Sequence, residues 1–277
     1  MTLPQFYVDD LIKTALAEDV NYIDTTTDLM IPADGRSTAR FVAKADGVLC
    51  GLDVALRVFA LLDDTFTAAV HIPEGAPVKA GDLIAELTGN TRALLKGERT
   101  ALNLLQHMSG IATATRKAVE LCAGTRAAVT DTRKTLPGMR ALQKYAVTVG
   151  GGKNHRFNLS DGAMLKDNHI DAAGGIPQAV AAIRGKLGHM VKLEVETRTL
   201  DEVRQALDAG ADVIMLDNMT CEMMARAVAL VGGKVPLEAS GGITPDTIRA
   251  VAETGVDIIS LGALTHSVTA LDISMRF

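Results

Sequence analysis

The chain has 277 residues, 48% of them apolar and 22% charged, with a formal net charge of −5. That is the composition of a soluble globular protein with length for one large domain or two modest ones. Aromatic content of 3% with no Trp argues against the stacking platforms of single-strand nucleic-acid binders, no segment approaches a membrane span, and the N-terminus lacks the basic start and apolar run of a signal peptide. Cys50, Cys122 and Cys221 are odd in number, far apart and mostly in apolar segments. They read as reduced core residues of a cytoplasmic protein, without the CxxC spacing of a zinc site.

In chain order, a helix over Gln5–Glu18 leads into STARFVAKADGVLCG, a helix-like LDVALRVFALLDD, and short β runs broken by Gly and Pro in TFTAAVHIPEGAPVKAGDLIAELTG. These predict a small α+β domain. GAPVKAGDLIAEL resembles the turns of β-sandwich carrier modules, but no Lys stands at a hairpin tip. Leu61-Leu62-Asp63-Asp64-Thr65 superficially matches a phosphoribosyl-diphosphate signature. It lacks the Gly-rich loop that should come after it, and is read as a helix end. GERTALNLLQHMSGIATATRKAVELCAG predicts a long helix bridging to the second half of the chain.

The second half repeats. Strand-like runs begin at Val191, Val213, Val235 and Val256, at intervals of 22, 22 and 21 residues, with amphipathic segments between them that open on Thr and close on Gly. Further strands at Ala127–Asp131 and Ala163–Asp167, with helices at Pro137–Val147 and Pro177–Lys186, complete an α/β pattern. An ordinary eight-fold barrel takes about 250 residues. The fold expected here is therefore a short or incomplete parallel β/α barrel of about six to seven strands. It would span residues 109–265, with an N-terminal α+β domain over 1–108, a bridging helix to about 122, and the tail 266–277 as a candidate to pack on that domain.

The charge is unevenly spread. From Arg126 to His169 eight Lys/Arg face three acids, so a segment of +5 sits in a chain of −5. Such a segment, interrupted by Gly, suggests a pocket for a small polyanion. Arg140 and Lys144 fit a solvated helix face, whereas Arg133, Lys134, His155, Arg156 and Lys166 fall at strand ends and turns. In parallel barrels the chemistry belongs at the C-terminal strand ends. Those ends carry Thr132-Arg133-Lys134, Lys166-Asp167-Asn168-His169, Glu196, Asp217-Asn218, Ser240-Gly241-Gly242 and Leu261-Gly262-Ala263. The last two suit a phosphate. Glu196 and Asp217 could bind sugar hydroxyls or Mg²⁺, or simply pair with a neighbouring strand-end cation.

These residues together resemble the decarboxylating quinolinate phosphoribosyltransferases. The resemblance is carried by GERTALNLLQHMSGIAT, DTRKTLPGMRALQKYAVTVGGGKNHRFNLSDGAMLKDNHI, LEVE, MLDN, LEASGGI and ISLGALTHS, in that order over the last two thirds of the chain. Leu136 stands where Thr is usual and Cys50 where Ala is, and neither supplies chemistry. The resemblance implies quinolinate and phosphoribosyl diphosphate as substrates and Mg²⁺ as cofactor. It further implies a homodimer in which Arg99 reaches the partner's site. Arg99, Arg133, His155, Arg156 and Lys166 would hold the carboxylates, with Thr132 in the same loop, and Lys134 would serve the diphosphate. Glu196 and Asp217 would face the ribose and metal, with Ser240, Gly241, Gly242, Leu261, Gly262 and Ala263 around the 5-phosphate. Lys134, Lys166, Glu196 and Asp217 would be catalytic. Rival readings are a molybdate-transport-associated paralogue that loses the Lys-Asp-Asn-His ending, a nicotinate phosphoribosyltransferase, a Schiff-base aldolase using Lys166, and a non-catalytic phosphate sensor. The sequence leaves the roles of Glu194 and Glu238 open.

Overall fold

The computed structural model describes residues 3–277, which cluster into two compact units. The first contains the chain up to Arg116, Leu136–Gly151 and Leu264–Phe277. Its elements are α1 (Gln5–Asp19), α2 (Thr25–Met30), β1 (Arg36–Ala43), β2 (Gly47–Val48), α3 (Leu52–Leu62), β3 (Thr67–Val70), β4 (Pro77–Val78), β5 (Leu83–Asn90), the long α4 (Thr91–Leu121), which continues past this unit, and α5 (Arg140–Val149). Strands β1, β5 and β3 form an antiparallel sheet joined at its edge by the C-terminal strand, Ile273–Arg276, which pairs with β1. Phe41, Phe59, Ile84 and Leu87 are fully buried, with the Phe41 and Phe59 rings 6.1 Å apart. Asp63 lies just past the end of α3, and its carboxylate accepts the N–H groups of Thr65 and Asn90. The LLDDT stretch is a helix end and its cap.

The second unit takes Lys117–Thr135 and Gly152–Ala263. It contains β6 (Ala128–Thr130), β7 (Ala163–Leu165), α6 (Asp167–Ala173), α7 (Ile176–Arg184), β8 (Leu193–Thr197), α8 (Leu200–Asp208), β9 (Val213–Asp217), α9 (Cys221–Val231), β10 (Leu237–Ser240), α10 (Ile248–Glu253) and β11 (Ile258–Ser260), with α11 (Ala263–His266) beginning at its end. The six strands are parallel in the order β6-β11-β10-β9-β8-β7, so the first in sequence lies beside the last. No ladder joins β6 to β7, and the barrel is open there. A lone parallel bridge between Thr130 and Lys153 supplies the stub of a seventh strand beside β6. The division of the chain thus differs from a single cut near residue 108: α5, between β6 and β7 in sequence, belongs to the first unit.

Helix signals read from the sequence operate as hydrogen bonds. The Thr199 hydroxyl accepts the N–H of Glu202, the Thr220 hydroxyl accepts that of Met223, and Gly232 ends α9 in a left-handed conformation. The helix after Ser240-Gly241-Gly242 is shorter than expected, since Thr244–Thr247 is consumed in a turn closed by the Thr247 hydroxyl and α10 starts only at Ile248.

Strand alternation decides which residues face the barrel interior. On β8, Leu193 and Val195 alternate with Glu194 and Glu196, and all are buried. On β9 the set is Met215 and Asp217, on β10 Glu238 and Ser240, on β11 Ser260. Met164 and Lys166 share the parity on β7 and beyond it. The interior face therefore carries Glu194, Glu196, Asp217, Glu238, Ser240 and Ser260 together with the apolar Met164 and Met215.

Two expectations are corrected. Lys144 is fully buried rather than exposed, and Arg140 is only half-exposed. The Lys side chain falls on the same face of α5 as buried Val147, because positions three apart coincide on a helix. Cys50 and Cys122 are buried, but Cys221 is exposed at the first turn of α9. Among the described residues, no helix is long and apolar enough to cross a membrane.

Candidate active site

A cavity of about 650 Å³ opens at the C-terminal ends of the barrel strands, within the ordinary range for small-molecule sites. It is lined by Thr132, Arg133, Lys134, His155, Arg156, Lys166, Glu196, Asp217, Ser240, Gly241 and Gly242, and also by Met164, Asp167, Met215, Asn218, Glu238 and Ser260. Every member belongs to the second unit.

One wall is cationic. Past β6 the Thr132 hydroxyl accepts the Lys134 N–H at 3.0 Å, a tight turn that carries Arg133 and Lys134 into the cavity lining. The chain returns at the Lys153 stub, where the Asp131 carboxylate, fully buried, accepts the His155 N–H at 2.9 Å. Arg156 comes next, with one guanidinium nitrogen donating to the Gly162 carbonyl at 2.7 Å. Burial and the adjacent Arg133 charge lower the Arg156 pKa. The Arg133 Nε is buried without a hydrogen-bond partner. Two guanidiniums that repel each other, one with unfilled donor capacity, make a site that gains by taking an anion.

The opposite wall is acidic. Lys166 lies 3.3 Å from the Glu196 carboxylate, and its backbone N–H donates to the His169 ring at 3.1 Å. His169 of the Lys-Asp-Asn-His ending thus holds the backbone that presents Lys166. Arg198, which sequence reasoning missed, donates to Asp167 at 2.8 Å and stands 3.8 Å from Glu196 and 3.7 Å from Asp217. Extending the strand-end rule by two residues past Glu196 finds it. Asn218 is the one described non-Gly residue with positive φ, at 54°, and its side chain donates to Asp217 at 2.9 Å. Gly241 lies against it, with φ of 95°, and a Cβ there would sit 2.2 Å from the Asn218 Oδ1. The Ser-Gly-Gly turn therefore needs Gly at that point.

Beneath these walls lies a buried trio. The His155 Nδ1 accepts the Arg156 N–H at 2.8 Å. Its Nε2 is 3.1 Å from Glu194 Oε2 and 3.5 Å from Glu238 Oε1. Burial, then the Glu194 charge, raise the Glu238 pKa to about 7, with His155 pulling the other way. The two ring nitrogens of His155 thus face the Arg156 N–H on one side and the two carboxylates on the other.

Eleven of the residues expected at the site line this cavity. Leu261, Gly262 and Ala263 are not among them, and the Leu261 N–H is committed to the Thr130 carbonyl at 2.9 Å. Arg99 stands exposed on α4 in the first unit.

Comparison with known proteins agrees along the whole length. The family model for the quinolinate phosphoribosyl transferase N-terminal domain matches residues 24–109, and that for the C-terminal domain residues 111–276. A Bacillus subtilis protein named "Probable nicotinate-nucleotide pyrophosphorylase (carboxylating)" is 46% identical over 96% of this chain and 91% of its own. A Nicotiana tabacum protein named quinolinate phosphoribosyltransferase (decarboxylating) 2b, mitochondrial, is 41% identical over 99% of this chain and 83% of its own. Among solved structures, NadC from Streptococcus pyogenes superposes with a TM-score of 0.97 at 44% identity, covering 100% of this chain and 98% of that one. Human nicotinic acid phosphoribosyltransferase, at 11% identity and a TM-score of 0.59, shares the fold alone. The chain belongs to the quinolinate phosphoribosyltransferase family.

Proposed function

We propose that this protein transfers the phosphoribosyl group of 5-phosphoribosyl 1-diphosphate to quinolinate with loss of CO₂, giving nicotinate mononucleotide and diphosphate. The observation that carries this reading is the pairing, in one cavity, of a cationic wall (Arg133, Arg156) with an acidic one (Glu196, Asp217). Arg133 and Arg156 bind the two adjacent carboxylates, and Lys166 closes on the 2-carboxylate side. This holds the ring nitrogen toward C1 of the ribose, and orientation of this kind can supply much of a barrier. Lys134 offsets charge gathering on the departing diphosphate. Ser240, Gly241 and Gly242 hold the 5-phosphate through the loop itself.

Glu196 and Asp217 present an all-oxygen, carboxylate donor set, which fits Mg²⁺ shared with substrate phosphates. When bound, that ion supplies further charge neutralisation at the diphosphate. The same carboxylates accept the ribose hydroxyls and steady the electron-poor C1. Once the ring nitrogen is quaternary, the ring stabilises the electron pair left at C2, so the 2-carboxylate departs as CO₂. We further propose a cytoplasmic homodimer in which Arg99 completes the carboxylate pocket of the partner subunit.

The test is quinolinate labelled at the 2-carboxylate, incubated with phosphoribosyl diphosphate and Mg²⁺. Labelled CO₂ and nicotinate mononucleotide in equal amounts support the reading. Mononucleotide formation from nicotinate in preference to quinolinate would overturn it.

A further inference from the structure

Glu194 and Glu238 take no part in the chemistry above, yet both are buried and both meet one imidazole from strands β8 and β10. We propose that Glu238 is the acid that protonates C2 of the pyridine ring as CO₂ departs, with His155 and Glu194 as the residues that hold it ready. This rests on the quinolinate reading of the site. The geometry accounts for the proton. Because His155 Nδ1 accepts the Arg156 N–H, the ring proton sits on Nε2 and is directed to Glu194 at 3.1 Å. At 3.5 Å the same nitrogen serves Glu238 only weakly, and Glu238 Oε1 has no hydrogen-bond partner. Two buried carboxylates against a single imidazole carry an excess of negative charge that the interior disfavours.

A proton on Glu238 removes that excess. The groups bearing on it are Glu194 from β8, His155 after the seventh-strand stub, the Ser260 hydroxyl from β11 and Asp131 past β6. Burial first, and then the Glu194 and Asp131 charges, favour the protonated acid and push its pKa to about 7. Glu238 also lines the cavity. The cations of the cavity have other tasks: guanidiniums do not release protons in proteins, Lys134 is assigned to the diphosphate, and Lys166 to the 2-carboxylate. In the step itself the bond from C2 to the carboxylate carbon breaks and CO₂ leaves. The bonding pair remains on C2 and takes the proton from the Glu238 carboxyl. A C2–H bond forms, and the resulting Glu238 carboxylate is reprotonated from water.

The experiment compares wild type, Glu238→Gln and Glu238→Asp for CO₂ release against pH. It also reads the H/D ratio at C2 of the product formed in mixed H₂O and D₂O. Wild-type turnover is expected to fall as pH rises through the Glu238 titration. Glu238→Gln is expected to lose that fall, to release CO₂ about 100-fold more slowly, to keep both KM values within a few-fold, and to shift the H/D ratio. Glu238→Asp keeps an acid and should keep the fall. Glu238→Gln with wild-type rate, pH profile and H/D ratio would sink the proposal, and so would a Glu238→Asp enzyme without the pH limb. A stoichiometric divalent ion in purified wild type that Glu238→Gln lacks would also count against it, because the ion would take the proton's place. An inactive wild type overturns the quinolinate reading as well, whereas an active wild type matched by Glu238→Gln overturns this inference alone.

Discussion

At the scale of single residues, the cavity is organised by pairs of opposite charge that substrate must separate. Lys166 is half-exposed and 3.3 Å from Glu196, while Arg156 is drawn inward and bonded to a carbonyl. Lys166→Ala is expected to lower kcat/KM for quinolinate about 100-fold, since it removes the cation proposed to hold the 2-carboxylate. Steady-state kinetics with phosphoribosyl diphosphate saturating is the measurement, and a change within a few-fold would remove Lys166 from the chemistry. Arg198 poses the opposite case. It sits among Asp167, Glu196 and Asp217, where it competes with any cation those acids would hold. Arg198→Gln is therefore expected to lower the Mg²⁺ concentration needed for half-maximal binding of phosphoribosyl diphosphate by a few-fold, as read by calorimetry. A requirement unchanged or raised would assign Arg198 to the phosphates instead.

At the scale of elements, a loop rather than a helix end builds the side proposed to take the phosphate. The turn after β10 succeeds because Gly241 has φ of 95° and no side chain where the Asn218 amide lies. Gly241→Ala combines backbone strain with a collision and should cost about 1–3 kcal/mol. It should also raise the KM for phosphoribosyl diphosphate more than that for quinolinate. Chemical denaturation and the two KM values together check this, and a loss of stability with both KM values unchanged would detach the turn from the phosphate. The caps of the outer helices are independent of chemistry. Thr220→Ala deletes the hydroxyl that accepts the Met223 N–H and is expected to cost about 1 kcal/mol with turnover unaltered.

At the scale of the whole molecule, pH acts on stability from two sides. Asp63 and Asp212 have pKa values held below 3.8. For Asp63 the cause is hydrogen bonds from Asn90 and Thr65; for Asp212 burial pushes upward and is outweighed by Arg184 and the Leu193 N–H. Their contribution is present above pH 3.8 and lost as pH falls through their lower folded values. Glu238 works in the other sense. Its folded value of about 7 lies above the ordinary 4.5, so its contribution is full below pH 4.5 and lost as pH rises toward 7. The Tm of wild type relative to Glu238→Gln should thus fall across that interval, and a constant difference would contradict the assignment. The proposed role of Arg99 is also a property of the assembly. Arg99→Ala and Lys166→Ala subunits, each expected to be strongly impaired alone, should regain activity when mixed and allowed to exchange, because one site of the mixed dimer would be intact. Mixtures that stay inactive would place Arg99 with its own subunit's site or outside the chemistry.

How much was legible in the sequence depends on the range of the interaction concerned. The repeat from Val191, the Thr caps, the helix end at LLDDT and the strand-end set from Thr132 to Gly242 are local patterns. Period, turn chemistry and alternation express themselves within a few residues, and sequence alone determines them. Three things were decided only by tertiary structure. The barrel is left open between β6 and β7, where the intervening α5 belongs to the first unit and the seventh strand is a stub held by one bridge. Lys144 is buried although its segment reads as a charged helix face, since the pattern of one helix does not say what will cover it. His155, Glu194 and Glu238 come from segments as many as 83 residues apart in the chain. They meet because alternation turns both glutamates into a barrel whose curvature brings non-adjacent strands together around one ring. The sequence by itself determined the family and the inventory of charges. Which of those charges face substrate, and which face one another inside the barrel, was decided by packing.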